Sequence, residues 1–106
     1  MNINELLEEI KKLHEDAQKD LEQWSYTKDD TYGNVGYKYS TLCYEAVKEI
    51  EDGVWTITRE DGRTRTVNGS TVFLINTDIL NGVDDKGYHF GHSLYRIKSI
   101  VRAEIH

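Results

Sequence analysis

The stretch DGVWTITREDGRTRTVNG, residues 52–69, is punctuated three times, at Asp52-Gly53, Asp61-Gly62 and Asn68-Gly69. Asp-Gly and Asn-Gly between β-rich runs signal hairpins, because both central positions of a type I′ turn need positive φ. Within the stretch, Trp55 and Ile57 alternate with Thr56 and Thr58, so Val54–Arg59 and Arg63–Val67 are predicted strands. Toward the C-terminus, Thr71–Ile75 reads as a further strand and Asn81-Gly82 as a further turn. In the last predicted strand Tyr95, Ile97, Val101, Ala103 and Ile105 alternate with Arg96, Lys98, Arg102 and Glu104, giving one apolar and one charged face.

Toward the N-terminus the period changes. Ile3, Leu6, Leu7, Ile10, Leu13, Ala17, Leu21 and Trp24 fall in an arc of about 120° on a helical projection, joined only by His14. Residues 3–24 are therefore predicted as one amphipathic helix, opened by Asn2 and Glu5 as a capping-box pair. Residues 25–36 are polar and read as a connector. Residues 37–51 fit either a helix, through Leu42, Cys43, Ala46, Val47 and Ile50, or a long first strand feeding Asp52-Gly53; the strand is the reading adopted. A chain of 106 residues makes one domain. The expected architecture is α+β: an N-terminal amphipathic helix packed on an antiparallel β-meander over residues 37–106, with a small SH3-like barrel as its closed form.

Charge is divided along the chain. Residues 1–52 carry thirteen Asp/Glu against six Lys, a balance of −7, while residues 53–106 come to +1 and hold all five arginines. Such asymmetry marks an interaction surface rather than a feature of the fold. A net charge of −6 argues against wrapping nucleic acid, which relies on clustered cations, and fits a basic protein partner. No apolar run approaches the roughly 20 residues of a membrane span. The lone Cys43 excludes an internal disulfide and fits a reducing, cytoplasmic location, as does an N-terminus without a basic-then-apolar signal.

No catalytic or cofactor signature is present. His89 and His92, with Asp84 and Asp85 upstream, are the only paired histidines, but positions three apart in a strand point to different sides, so no metal site is assigned. Asp84–Gly87 lacks the spaced oxygens of a calcium loop, and Gly33–Gly36 lacks the Gly-Lys-Ser/Thr end of a phosphate loop. Two surfaces remain. One is the helix face bearing Glu5, Glu8, Glu9, Glu15, Asp16, Asp20 and Glu22, whose carboxylates a turn apart stand at about 5–6 Å intervals. The other is an arginine and tyrosine surface: Arg63 and Arg65 on one strand face, Arg96, Lys98 and Arg102 on another, and Tyr26, Tyr32, Tyr37, Tyr39 and Tyr44 at mid-chain.

Met1-Asn2-Ile3-Asn4-Glu5-Leu6, continuing to Glu9-Ile10-Lys11, resembles the opening of small acidic phage-encoded anti-CRISPR proteins, and chain size, acidity and a helix-plus-sheet layout are similar too. The resemblance implies a stoichiometric inhibitor that fills the nucleic-acid groove of a CRISPR nuclease with acidic side chains. The expectation is a non-enzymatic inhibitor of a basic partner such as a host defence nuclease. It would bind through the seven helix carboxylates, supported by Tyr37 and Tyr39. The alternatives are a nucleic-acid or nucleotide-binding module using the arginines and tyrosines, and a self-associating phage structural or assembly protein.

Overall fold

The computed structural model describes residues 1–29 and 31–103. The first helix, α1, spans Ile3–Thr27. Its capping box is formed: the Glu5 amide donates to Asn2 Oδ1 (2.9 Å) and the Asn2 amide to Glu5 Oε1 (3.3 Å). It ends one turn later than the apolar arc suggests, where Lys28 turns left-handed (φ 53°) and donates its amide to the Trp24 carbonyl. Ile3, Leu6, Leu7 and Ile10 are buried, and the first half of α1 lies on the strands.

The second element corrects the strand expected over residues 37–51. Asn34–Lys48 is a helix, α2, packed along the later part of α1. Gly36, Tyr39, Cys43 and Ala46, spaced 3, 4 and 3 apart, are its buried residues. That stripe is helical, and burying it on α1 outweighs the strand preference of the tyrosines and β-branched residues around it. Burial pushes the Cys43 thiol up to about 12, so it is an inert core group.

Among the described residues six strands follow: β1 (Val54–Arg59), β2 (Thr64–Asn68), β3 (Phe73–Ile75), β4 (Ile79–Val83), β5 (His89–Ser93) and β6 (Ile97–Arg102). They form two antiparallel three-stranded sheets, ordered β2-β1-β6 and β3-β4-β5, so the last strand returns to the first. The sheets are tied only by a bridge at Val67–Asp84 and a hydrogen bond from the Asp85 amide to the Thr66 carbonyl, so the described strands form two sheets and not one continuous closed barrel. With both helices beside these strands the fold is α+β. One cluster of buried side chains runs through all of it, from Leu6 and Tyr39 to Ile57, Leu80 and Ile97.

The turn signals divide. Asp61-Gly62 makes the β1–β2 hairpin, with Gly62 at φ 87° and the Asp61 carboxylate accepting from the Arg63 amide. Asn68-Gly69 opens a 3-10 turn, Gly69–Thr71, which shortens the strand expected at 71–75. Asp52-Gly53 joins a helix to a strand, since α2 precedes it. Asn81-Gly82 is no turn but the middle of β4. Gly82 is there for space: a Cβ would lie 3.0 Å from the Phe90 ring opposite.

The alternation expected from Tyr95 to Ile105 is also corrected. Tyr95 belongs to a 3-10 turn, Leu94–Arg96, and within β6 the buried residues are Ile97 and Ile100, with Val101 exposed. Ser99 pairs with Thr58 but Ile97 with Arg59, so Lys98 is an extra residue in a β-bulge and the faces exchange there. Ile105 lies outside the described residues. On the outer edge of β6 the Asn4 side chain of α1 donates to the Ile100 carbonyl (3.1 Å) and accepts from its amide (2.9 Å), completing the pairing of that residue.

Candidate functional site

The seven carboxylates of α1 are on one element, but they do not share one task. Glu5 belongs to the capping box. Glu8 lies 3.5 Å from Lys11, which also reaches Glu60 at 2.6 Å; Glu9 pairs with Lys12 at 3.5 Å and Glu15 with Lys19 at 3.3 Å. Asp20 is structural. Its carboxylate accepts from the Gly36 amide at 3.0 Å, serving the first turn of α2, whose own N-cap Gly33 offers no side chain. The backbone N–H groups of Gly36 and Gly33 hold its carboxyl below the usual carboxylate range. Asp16 and Glu22 make no ion pair among the described residues. Exposed lysine–carboxylate pairs are worth about 0–1 kcal/mol, so Glu8, Glu9 and Glu15 stay available to a stronger cation.

Where α1 and α2 reach their joined ends, a cleft of about 550 Å³ opens, lined by Leu21 and Trp24 of α1, Tyr32 to Asn34 of the connection, and Gly36, Tyr37 and Ser40 of α2. Two glycines let the walls close. Gly33 adopts φ 101° with Trp24 against it, and a Cβ on Gly36 would lie 2.4 Å from Leu21 Cγ. Trp24, Tyr32 and Tyr37 remain 41%, 39% and 76% exposed. The Lys28 ammonium sits 4.4 Å from the centre of the Trp24 ring, a cation–π contact within the chain.

Of the two tyrosines expected to support binding, Tyr37 lines this cleft and Tyr39 does not. Tyr39 is 1% exposed, and its hydroxyl donates to Asp78 Oδ2 at 2.9 Å. Burial first, and the Asp78 carboxylate next, push its hydroxyl well above the ordinary phenol range. In a strand, residues 37 and 39 would share a face; in a helix they stand about 200° apart. Tyr32 is one of the mid-chain tyrosines expected at a surface, whereas Leu21 and Trp24 are members of the cleft that sequence reasoning missed. Leu21 and Trp24 read as core, because the apolar arc of α1 does not reveal where its cover ends.

The arginines are spread and mostly engaged. Arg65 pairs with Asp84, donates through Nε to His92 Nε2 at 3.4 Å and lies over the Phe90 ring. Burial would raise the Asp84 carboxyl, but the Tyr88 and Lys86 amides and Arg65 outweigh it and hold it low. Arg59 and Arg63 flank Asp61 at 3.8 and 3.7 Å, and Arg102 reaches Glu51 at 3.3 Å while covering Trp55. Arg96 lies over Tyr95 in the 3-10 turn, away from the regular face expected to hold it beside Lys98 and Arg102.

Burial, then the charges of Arg59 and Arg65, push His92 below the usual imidazole pKa, in keeping with its role as acceptor from Arg65. His89 is exposed on the same strand. Among the described residues no three His, Cys, Asp or Glu side chains gather as a metal site would require. His14, the one polar member of the α1 arc, stacks on Tyr95 at 3.5 Å and meets Tyr39 edge-on at 5.9 Å. No described helix is long and apolar enough to cross a membrane. Comparison with protein-family models, with curated proteins and with solved structures returns no match, so a functional reading rests on these surfaces.

Proposed function

We propose that this protein is a non-enzymatic binding protein that occludes a basic, nucleic-acid-binding protein partner, of the kind a host defence nuclease presents, through the acidic face of α1. The observation that carries the reading is the row of Glu8, Glu15 and Glu22, exposed at seven-residue intervals over about 21 Å of α1, with Asp16 exposed beside it. Its members stand about 10 Å apart, which matches the spacing of phosphates in order of magnitude. The engagement of Arg65 by the carboxylate of Asp84, the one arginine pair among the described residues whose carboxylate side chain is largely enclosed, counts against a phosphate-binding role for that arginine. An anti-CRISPR type of inhibitor falls within this reading.

The test is a triple charge reversal, Glu8→Lys with Glu15→Lys and Asp16→Lys, all at exposed positions. Wild-type protein immobilised in low salt is expected to retain basic proteins from a bacterial lysate and to release them as salt rises. The triple variant, with an unchanged circular dichroism spectrum, should lose at least ten-fold of that capture. Equal capture by the two proteins at both salt levels defeats the proposal.

A further inference from the structure

We infer that the cleft at the joined ends of α1 and α2 receives a single arginine side chain of the partner. The inference rests on the basic partner proposed above and names the group that the hairpin holds.

Three aromatic side chains, Trp24, Tyr32 and Tyr37, line one open cavity of about 550 Å³, with Leu21 beside them. An apolar cluster left open to solvent in a chain this small is unusual unless something covers it. The chemistry of the surroundings says which group that is. Residues 15–40, which include all of the lining, carry six Asp/Glu against three Lys, a balance of −3, so the cleft opens in a negative field. A purely apolar anchor would gain nothing from that field, whereas a cation gains from both the field and the ring faces. The chain already demonstrates the contact, since the Lys28 ammonium rests 4.4 Å from the Trp24 ring centre. Lys28 belongs to the left-handed cap of α1, is itself exposed and is not part of the cleft lining. A guanidinium suits the site better than an ammonium. Its planar face stacks on aromatic rings, it is less strongly hydrated, and its three methylenes can lie along Leu21.

A second copy docked hairpin to hairpin is a poor occupant for the same reason, since it would bring the same negative charge against the first. A copy docked through its arginine-bearing strands is the outcome that the concentration dependence below detects.

The experiment uses the full chain labelled with nitrogen-15 and three probes: the peptides Gly-Gly-Arg-Gly-Gly, its citrulline counterpart and its leucine counterpart. Citrulline keeps the shape of arginine and removes the charge. The arginine peptide is expected to shift the Trp24 indole resonance and the amides of residues 32–40 in a saturable way. The citrulline and leucine peptides should bind at least ten-fold more weakly. Tyr37→Ala and Trp24→Ala, at exposed positions, should each weaken the arginine response several-fold while circular dichroism is unchanged. Equal binding of all three peptides makes the cleft an apolar site and overturns the inference. So does the absence of any shift, or a shift that depends on protein concentration alone.

Failure here is distinguishable from failure of the occlusion reading. Loss of lysate capture on triple charge reversal, without a peptide response, removes the cleft alone. A specific arginine response in a protein whose capture survives charge reversal removes occlusion by the acidic face alone.

Discussion

Asp20 shows how one carboxylate can be mistaken for surface and turn out to be part of the frame. It stands among six other acids on α1, yet its partners are backbone amides at the start of α2. Because its folded-state pKa is lowered, its contribution to stability is fully present above the ordinary carboxylate pKa of about 3.9 and disappears as pH falls through the lower folded-state value. Asp20→Asn removes the charge and keeps the shape. The variant should therefore melt several degrees below wild type at neutral pH, and the two melting curves should converge in strong acid. Calorimetry across that range checks it, and a gap that persists in acid would mean the carboxylate charge is not what holds α2. Nothing in the sequence singles out Asp20, since its partner amides, Gly33 and Gly36, are thirteen and sixteen residues away in a stretch that reads as a connector but opens α2. Tyr37 and Tyr39 carry the same lesson. Choosing the secondary structure decides which of two neighbouring tyrosines meets solvent, and the choice of strand put both on one face.

At the scale of elements, what could be read was whatever has a local cause. The capping box and apolar stripe fixed the start and type of α1 within its own sequence, and Asp61-Gly62 fixed the β1–β2 hairpin, because a turn residue acts on its immediate neighbours. What could not be read depends on contact at a distance. The bulge at Lys98 exchanges the faces of β6 to suit β1. Gly82 answers to Phe90 across the sheet, and α2 is a helix because α1 offers a surface for its small-residue stripe. The last point is open to test. A Cβ on Gly36 would lie 2.4 Å from Leu21 Cγ, so Gly36→Ala must push the helices apart or drive Leu21 into the cleft. Overpacking of that kind costs about 1–3 kcal/mol, against the gain of under about 1 kcal/mol that Gly→Ala normally gives inside a helix. Urea denaturation should show a net loss of stability. A net gain would show that the two helices are not in close contact at Gly36.

Across the whole molecule the division of charge in the sequence becomes a division in space. Both helices lie within the acidic residues 1–52 and every strand lies beyond them, so the acidic part of the chain is also the helical part. The molecule is elongated, with principal extents of 53 × 25 × 25 Å, which sets charges along a rod rather than spreading them over a sphere. The sequence exposed this polarity directly, because charge is additive and does not depend on who packs against whom. The cleft was hidden, because it exists only where two helices meet. The two features should govern different phases of binding. Exposed charges steer an encounter, and their reach is about 10 Å at 0.1 M salt and about 3 Å at 1 M. A stacked side chain in a partly desolvated cleft is screened far less and instead sets how long the complex lasts. On a sensor surface bearing an immobilised arginine-rich peptide, raising salt should therefore slow association of the wild-type protein by ten-fold or more and change dissociation little. Tyr37→Ala should leave association near the wild-type rate at every salt concentration and speed dissociation several-fold. Charge reversal at Glu8, Glu15 and Asp16 should do the opposite, removing most of the salt dependence of association. If both variants instead alter the same rate, the hairpin acts as one undifferentiated electrostatic surface, and the assignment of separate roles to rod and cleft is wrong.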